Sequence, residues 1–218
     1  MEKNKLKPNP NIIHPVKNYY DVIYPKNINN SKKVIIGDFT YVSESSFNKN
    51  ILGNYDWIKD KLIIGKYCQI AKDVKFLLNG VNHEMNCIST YPFYIIEDWN
   101  ESKPNDEAYK FKGNTIIGND VWIGQGSSIL PGVKIGDGAI IGYNSVVSKN
   151  IPSYSIAAGN PCKVIKYRFD KQTIKELEKL KWWDLPTDKI KQIMNWLKST
   201  DIKESITKIN KLINNDFK

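Results

Sequence analysis

The chain has 218 residues, of which 41% are hydrophobic and 25% are charged, a balance typical of a folded domain with a sizeable core. No apolar run reaches the roughly 18 residues that a transmembrane helix needs, and residues 1–11 lack the apolar stretch of a secretory signal. The three cysteines are an odd number without paired spacing, which argues against a disulfide framework and predicts a cytoplasmic protein.

The formal net charge of +9 makes nucleic acid a candidate partner. However, the lysines are spread along the chain and Arg168 is the only arginine, whereas the recognition of base edges and phosphates relies on arginine. A basic surface can also attract an anionic small molecule. We therefore expect neither a nucleic acid nor a membrane partner.

A six-residue repeat dominates the sequence. A single unit at 36–40 is followed by a block at 64–76, and from residue 117 every sixth residue is aliphatic. A period of six fits neither an amphipathic helix nor one long strand, but it is typical of a parallel β-helix in which three short sides close each coil. We therefore predict a mainly β fold, a left-handed parallel β-helix, with the aliphatic residues pointing inward and stacking three units apart. These residues are Ile117, Ile123, Ile129, Ile135, Ile141 and Val147.

Two insertions interrupt the repeat, near 42–61 and near 77–114. Because loops of this length in a compact domain are usually functional, we expect the substrate site there. The repeat region with its insertions is predicted to form one domain, 1–168, which is followed by a helical extension at 169–218.

Three helices are predicted in this extension from their apolar periodicity and their N-terminal residues. Asp170 is expected to cap the first helix and Thr187, after Pro186, the second. Asp201 with Glu204 resembles a capping box for the third. The helices are expected to cover the open end of the coils.

His83 is the candidate catalytic residue. It lies where the repeat leaves into the second insertion, whereas the other histidine, His14, lies near the N-terminus and is assigned a structural role. A neutral imidazole can accept the proton of a hydroxyl when its other nitrogen donates to an acceptor, often a backbone carbonyl. Two histidines are too few for a three-histidine zinc site, and the cysteines show no ligand spacing, so no metal is predicted. Cys68 falls at an inward repeat position and is interpreted as core.

Several motifs along the chain carry a resemblance to a known family. They comprise 8–15, 60–68, 79–83 with 89–93, 117–124 with 131–139, and 159–169 with Trp182 and Trp183. The loop around His83 and the paired tryptophans are the most specific of them. In these features the chain resembles the hexapeptide-repeat xenobiotic acetyltransferases, and most of all the Vat family of streptogramin A (virginiamycin A) O-acetyltransferases.

The resemblance implies acetyl transfer from acetyl-CoA to a hydroxyl of a xenobiotic, a group A streptogramin first of all, with resistance as the outcome. It also implies a homotrimer with active sites between the subunits. The residues expected to bind the acceptor are Tyr41, Tyr55, Asn82, Pro92 and Trp122. The residues expected to bind acetyl-CoA are Trp122, Gly142, Lys149, Gly159, Lys163, Lys166 and Arg168. The glycines permit close approach of the pantetheine arm, and the cations suit its phosphates.

Departures from the family pattern lie on the acceptor side. Val42 follows Tyr41 where the family has a second tyrosine, and Glu84 and Asn86 stand where it has an arginine and an aspartate. Chloramphenicol, a sugar or another metabolite therefore remains an alternative acceptor, although the Gln-Gly insertion of chloramphenicol-type relatives is absent before His83. A β-helix scaffold or binding module is the alternative outside the enzymes, but it does not need a histidine at this position.

Overall fold

A computed structural model describes residues 8–102 and 111–215. The start of the N-terminal arm (1–7), part of the second insertion (103–110) and the C-terminal end (216–218) lie outside the described residues. The strands are β1 (Val34–Ile36), β2 (Tyr41–Val42), β3 (Ile51–Leu52), β4 (Leu62–Ile64), β5 (Gln69–Ile70), β6 (Lys75–Leu77), β7 (Thr115–Ile117), β8 (Trp122–Ile123), β9 (Ser128–Ile129), β10 (Lys134–Ile135), β11 (Ile140–Ile141), β12 (Val146–Val147), β13 (Ser155–Ala158) and β14 (Lys163–Tyr167). The helices are α1 (Lys171–Leu180), α2 (Thr187–Leu197) and α3 (Ile202–Asn215).

The described strands form three sheets, which are the three sides of a β-helix. The first side has the order β1-β4-β7-β10, the second β2-β5-β8-β11-β13-β14 and the third β3-β6-β9-β12. All neighbours are parallel except the last pair of the second side. Ile123 pairs with Ile141 and Ile129 with Val147, which confirms the predicted stacking three units apart. The arrangement fits the predicted left-handed β-helix.

The interior of the β-helix is filled by the columns that the repeat predicts. The six aliphatic residues from Ile117 to Val147 are each at most 2% exposed. Ser127 and Ser145 are also buried, and both hydroxyls donate to the Gly142 carbonyl, at 2.9 and 2.7 Å. Cys68 has no exposed surface, and burial raises the pKa of its thiol to about 12, as expected of a core residue rather than a nucleophile.

The chain leaves the coils twice from the third side of the β-helix, first after β3, within the predicted insertion 42–61, and again after β6. Within this first insertion, β3 still completes a coil, because Ile51 pairs with Phe76 of β6. The second insertion starts after Leu77, at the end of β6, and returns at Thr115, the start of β7. The roots of the two insertions are therefore neighbours in space.

The predicted placement of the C-terminal helices over the open end of the coils is wrong, because their segment contacts turns of successive coils where the first side meets the second. Trp182 packs against Tyr67, with 4.8 Å between ring centroids, and Asp120 lines a cavity with residues of all three helices. Asp170 caps α1 by accepting from the Thr173 N–H at 2.8 Å, and Asp201 accepts from the Glu204 N–H at 3.0 Å. The predicted cap by Thr187 is wrong: Pro186 takes the N-cap position, so Thr187 lies inside the first turn and makes no capping bond. No helix within the described residues has the length and apolar character needed to cross a membrane.

The two edges of the second side end in antiparallel pairing. At one edge Ile23 exchanges two backbone hydrogen bonds with Val42, each of 3.0 Å. At the other edge β14 runs antiparallel to β13. The chain thus enters and leaves this side against the direction of the coils.

Candidate active site

The imidazole of His83 is exposed and held by one hydrogen bond. His83 follows the short 3₁₀ turn Asn79–Val81, which comes directly after β6. Its Nδ1 lies 2.8 Å from the Thr90 carbonyl oxygen. Because a carbonyl only accepts, a neutral imidazole in this contact carries its proton on Nδ1 and has Nε2 as its acceptor nitrogen. This tautomer can take a proton from a hydroxyl.

Two cavities meet at His83. The loop cavity, of about 530 Å³, lies within the second insertion and includes Tyr91, Phe93 and Trp99 in its wall. The root cavity, of about 500 Å³, lies between the two insertions. Both volumes fall in the range of ligand-binding cavities. The root cavity is lined by Tyr55, Trp57, Gly80, Asn82, His83, Pro92, Tyr94 and Ile95.

Three of the predicted acceptor residues gather with His83 in the root cavity. These are Tyr55, Asn82 and Pro92. The Tyr55 ring is stacked on that of Trp57, with 6.1 Å between centroids, so one wall is aromatic. An apolar molecule bound there can place a hydroxyl beside His83. No sequence pattern singles out Trp57, because no spacing links it to the histidine.

The other two predicted acceptor residues lie on a different surface. Tyr41 pairs with Gln69, and Gln69 pairs with Trp122, on the outer face of the second side. Trp122 is 51% exposed. Neither Tyr41 nor Trp122 lines a cavity with His83. His83 instead follows β6, a strand of the third side.

The predicted acetyl-CoA residues extend this outer face. Trp122 pairs with Ile140, Ile140 with Ile156, and Ile156 with Lys166, so the tryptophan and the lysine lie on one row of neighbouring strands. At Gly142 a Cβ would lie 2.7 Å from the Cβ of Ala158, so only glycine fits this corner. Three more of these residues are exposed beside the last strands of the β-helix. Lys149 follows β12, Gly159 follows β13 and Lys163 begins β14.

Arg168 is placed differently from the lysines. It is half-buried, its Nη1 donates to the Gly138 carbonyl at 2.6 Å, and its guanidinium lies 5.7 Å from the Tyr154 ring and 5.2 Å from that of Phe169. It lines a cavity of about 190 Å³ beneath the helices together with Asp120. Burial raises the pKa of the Asp120 carboxyl, an effect that the charge of Arg168 opposes. These contacts fasten the C-terminal segment to the coils.

Comparisons with known proteins agree with this architecture. The model of the bacterial transferase hexapeptide family (six repeats) matches residues 114–149. A probable macrolide acetyltransferase from Lysinibacillus sphaericus is 52% identical over 68% of this chain and 83% of its own length. A virginiamycin A acetyltransferase from Staphylococcus aureus is 39% identical over 89% of this chain and 90% of its own. The chain belongs to the hexapeptide-repeat xenobiotic acetyltransferases. A chloramphenicol acetyltransferase from Morganella morganii is also similar, at 42% identity over 66% of this chain and 69% of that protein.

As a member of the hexapeptide-repeat xenobiotic acetyltransferases, the protein is an acyltransferase.

Glu84, which departs from the pattern expected beside the histidine, folds back towards its own backbone. Its carboxylate accepts from the Asn86 N–H at 2.8 Å. Glu84 lines the loop cavity with His83, and Glu101 supplies a second carboxylate to the same wall beside the aromatic rings. Within 8–102 and 111–215, no three His, Cys, Asp or Glu side chains form a group that could hold a metal ion.

Proposed function

We propose that this acyltransferase transfers the acetyl group of acetyl-CoA to a hydroxyl of a group A streptogramin and so confers resistance in the cytoplasm. The observation that carries the proposal is the hydrogen bond from His83 Nδ1 to the Thr90 carbonyl. It fixes the tautomer in which Nε2 can act as a general base, at the junction of two cavities of ligand size. A scaffold does not need this arrangement.

In the proposed reaction, His83 Nε2 accepts the proton of the acceptor hydroxyl as that oxygen attacks the thioester carbonyl. The bond from the carbonyl carbon to sulfur then breaks, and the imidazolium returns the proton to the departing sulfur. The products are the acetyl ester and CoA with a free thiol, and no covalent acyl-enzyme is needed. Cys87 is exposed in the loop cavity, but no described basic side chain within hydrogen-bonding distance activates its thiol.

The walls of the root cavity favour an apolar acceptor. Tyr55, Trp57 and Pro92 offer flat apolar surface to a macrocycle, whereas a sugar would need many polar partners. The similarity to the staphylococcal virginiamycin A acetyltransferase over 89% of the chain supports the same acceptor class. Chloramphenicol is the second candidate, favoured by the similarity to the Morganella morganii protein.

Acetyl-CoA is proposed to bind along the outer face of the second side. Trp122 would lie near the acetyl group, Gly142 and Gly159 would admit the pantetheine arm, and the phosphates would meet Lys149, Lys163 and Lys166. Arg168 would contribute from the coil end. Since His83 lies elsewhere on the chain, we propose that the site forms in a homotrimer, between the His83 loop of one protomer and this face of another.

A thiol-release assay tests the acceptor. Acetyl-CoA is offered with a group A streptogramin, a macrolide, chloramphenicol and a simple sugar, and kcat/KM is compared. The proposal expects the streptogramin to give the highest value. A higher value for chloramphenicol would support the second candidate, and thiol release with none of the four would contradict the proposed acceptor class.

A mixing experiment tests the shared site. His83→Ala and Trp122→Ala variants, each of low activity alone, are unfolded, mixed and refolded together. If one protomer supplies the histidine and another the tryptophan, random assortment restores about a quarter of the wild-type rate. If both residues act within one chain, the mixture stays as inactive as its components.

A further inference from the structure

Asn79 lies where the second insertion leaves the β-helix, and only 1% of its surface is exposed. All the hydrogen-bonding groups of its side chain are engaged. Nδ2 donates to the Asp60 carboxylate and, at 3.4 Å, to the Gly113 carbonyl. Oδ1 accepts from the Lys112 backbone N–H at 3.1 Å and from Asn82 Nδ2 at 3.2 Å. The amide is thus the centre of a buried polar network.

This network joins three segments that are distant in sequence. Asp60 belongs to the end of the first insertion, Lys112 and Gly113 to the return of the second, and Asn82 to its start. A primary amide offers two donor hydrogens and an acceptor oxygen with two lone pairs, which is the set of bonds made here. A carboxylate in its place would lose both donors and face the Asp60 carboxylate.

The network continues to the residue next to the imidazole. Asn82 is bound to Asn79 twice, through its side-chain amide and through its backbone N–H, which donates to the Asn79 carbonyl at 3.1 Å. Asn82 and His83 line the root cavity side by side, whereas Asn79 lines neither of the cavities at His83. Asn79 can therefore affect the reaction only by changing the position of the loop that carries His83.

We infer that Asn79, paired with Asp60, is a positioning residue that sets the place of His83 by fastening both ends of the second insertion. The inference rests on the proposed role of His83 as general base. Misplacement of a catalytic group by about 1 Å can cost on the order of 10²-fold in rate. A buried polar network specifies one arrangement when each of its polar groups has a hydrogen-bond partner. The donors and the acceptor of the Asn79 side chain all have partners.

The test exchanges the two members of the pair. N79D is expected to lower kcat, per folded protein, by about 10²-fold, because two carboxylates then face each other and the loop root shifts. D60N alone is expected to cost less than about tenfold, since an amide oxygen still accepts from Asn79. The double variant N79D/D60N, which again sets a donor against a carboxylate, is expected to recover kcat to within about tenfold of wild type. N48D adds a carboxylate at an exposed site of the first insertion and serves as the matched control, with unchanged kcat.

Rescue separates positioning from general loss of stability. The KM for acetyl-CoA is expected to stay unchanged in all four variants, because the proposed acetyl-CoA face lies on another side of the β-helix. The inference is overturned if N79D keeps kcat within about threefold of wild type, or if adding D60N does not restore it. Should N79D not fold, D60A leaves Asn79 Nδ2 without its strongest acceptor, and an unchanged kcat in D60A overturns the inference equally.

A readout independent of catalysis keeps this inference distinct from the proposed function. Limited proteolysis within 83–102 is expected to be faster in N79D and to return to the wild-type rate in N79D/D60N. If His83→Ala retains full activity, the general-base proposal fails, and the proteolysis result still decides whether Asn79 and Asp60 hold the loop. Equal proteolysis in N79D and wild type overturns that part as well.

Discussion

Replacing His83 by alanine removes the proposed general base while changing little else in the structure. A positioned proton acceptor contributes about 10²- to 10⁴-fold, so kcat is expected to fall by that factor, or about 2.7–5.4 kcal/mol of barrier. The imidazole is exposed and makes one hydrogen bond, to the Thr90 carbonyl. Its loss should cost about 0.5–1.5 kcal/mol of unfolding free energy and no more than about 6 °C in Tm. A fall in kcat larger than the stability change explains then reports chemistry.

The measurement combines thiol release at saturating acetyl-CoA with calorimetric titration of CoA. CoA binding is expected to survive in His83→Ala, since the proposed lysine contacts lie on another face. The matched control is His14→Ala, the other histidine of the chain, whose exposed ring contacts Tyr20 at 5.4 Å between centroids. Turnover of His83→Ala within about tenfold of wild type would refute the general-base assignment, as would an equal loss in both variants.

Three further outcomes are expected. Lys166→Ala should raise the KM for acetyl-CoA about fivefold or more with kcat unchanged. The control Lys211→Ala, on α3, should change neither constant. Equal KM values in the two variants would show that the phosphates of acetyl-CoA do not bind at Lys166. Asp120→Asn should raise the free energy of unfolding at neutral pH. Because burial raises the folded-state pKa of Asp120, the cost of its charge is present above that pKa and disappears as pH falls through it. Denaturant melts across this range should therefore show the gap between variant and wild type closing in acid, and a gap that widens in acid contradicts the argument. Iodoacetamide should label the exposed Cys87 and spare Cys68, whose pKa burial raises to about 12; peptide mass spectrometry that finds both labelled at one rate would disagree.

The β-helix could be predicted from the sequence because its core residues recur every six positions. Each coil contributes an inward aliphatic residue at the same place, so the interval alone is enough to pair Ile123 with Ile141. The contribution of Ile51 to the first coil was hidden, since β3 has only two residues and lies within a range that reads as an insertion. The cap at Thr187 was misplaced because Pro186 occupies the N-cap position.

The candidate site was accessible to sequence only in part. His83 stands out by residue type and by its place at the edge of the repeat, and Tyr55, Asn82 and Pro92 do meet it in the root cavity. The role of Asn79 could not be predicted, because its side-chain partners lie between 3 and 34 residues away and follow no interval. These partners meet only in the folded chain, and no local sequence pattern predicts their contacts.

The reversed strands at the two edges of the second side have a consequence for solubility at high expression. A stack of similar coils can polymerise, because the strands at an open end have unpaired backbone N–H and C=O groups. A coil of another molecule can pair with these strands in the parallel direction. Here an incoming coil meets Ile23 at one end and β14 at the other, both running the opposite way. On the second side, strand polarity therefore disfavours the addition of a further parallel strand from another molecule.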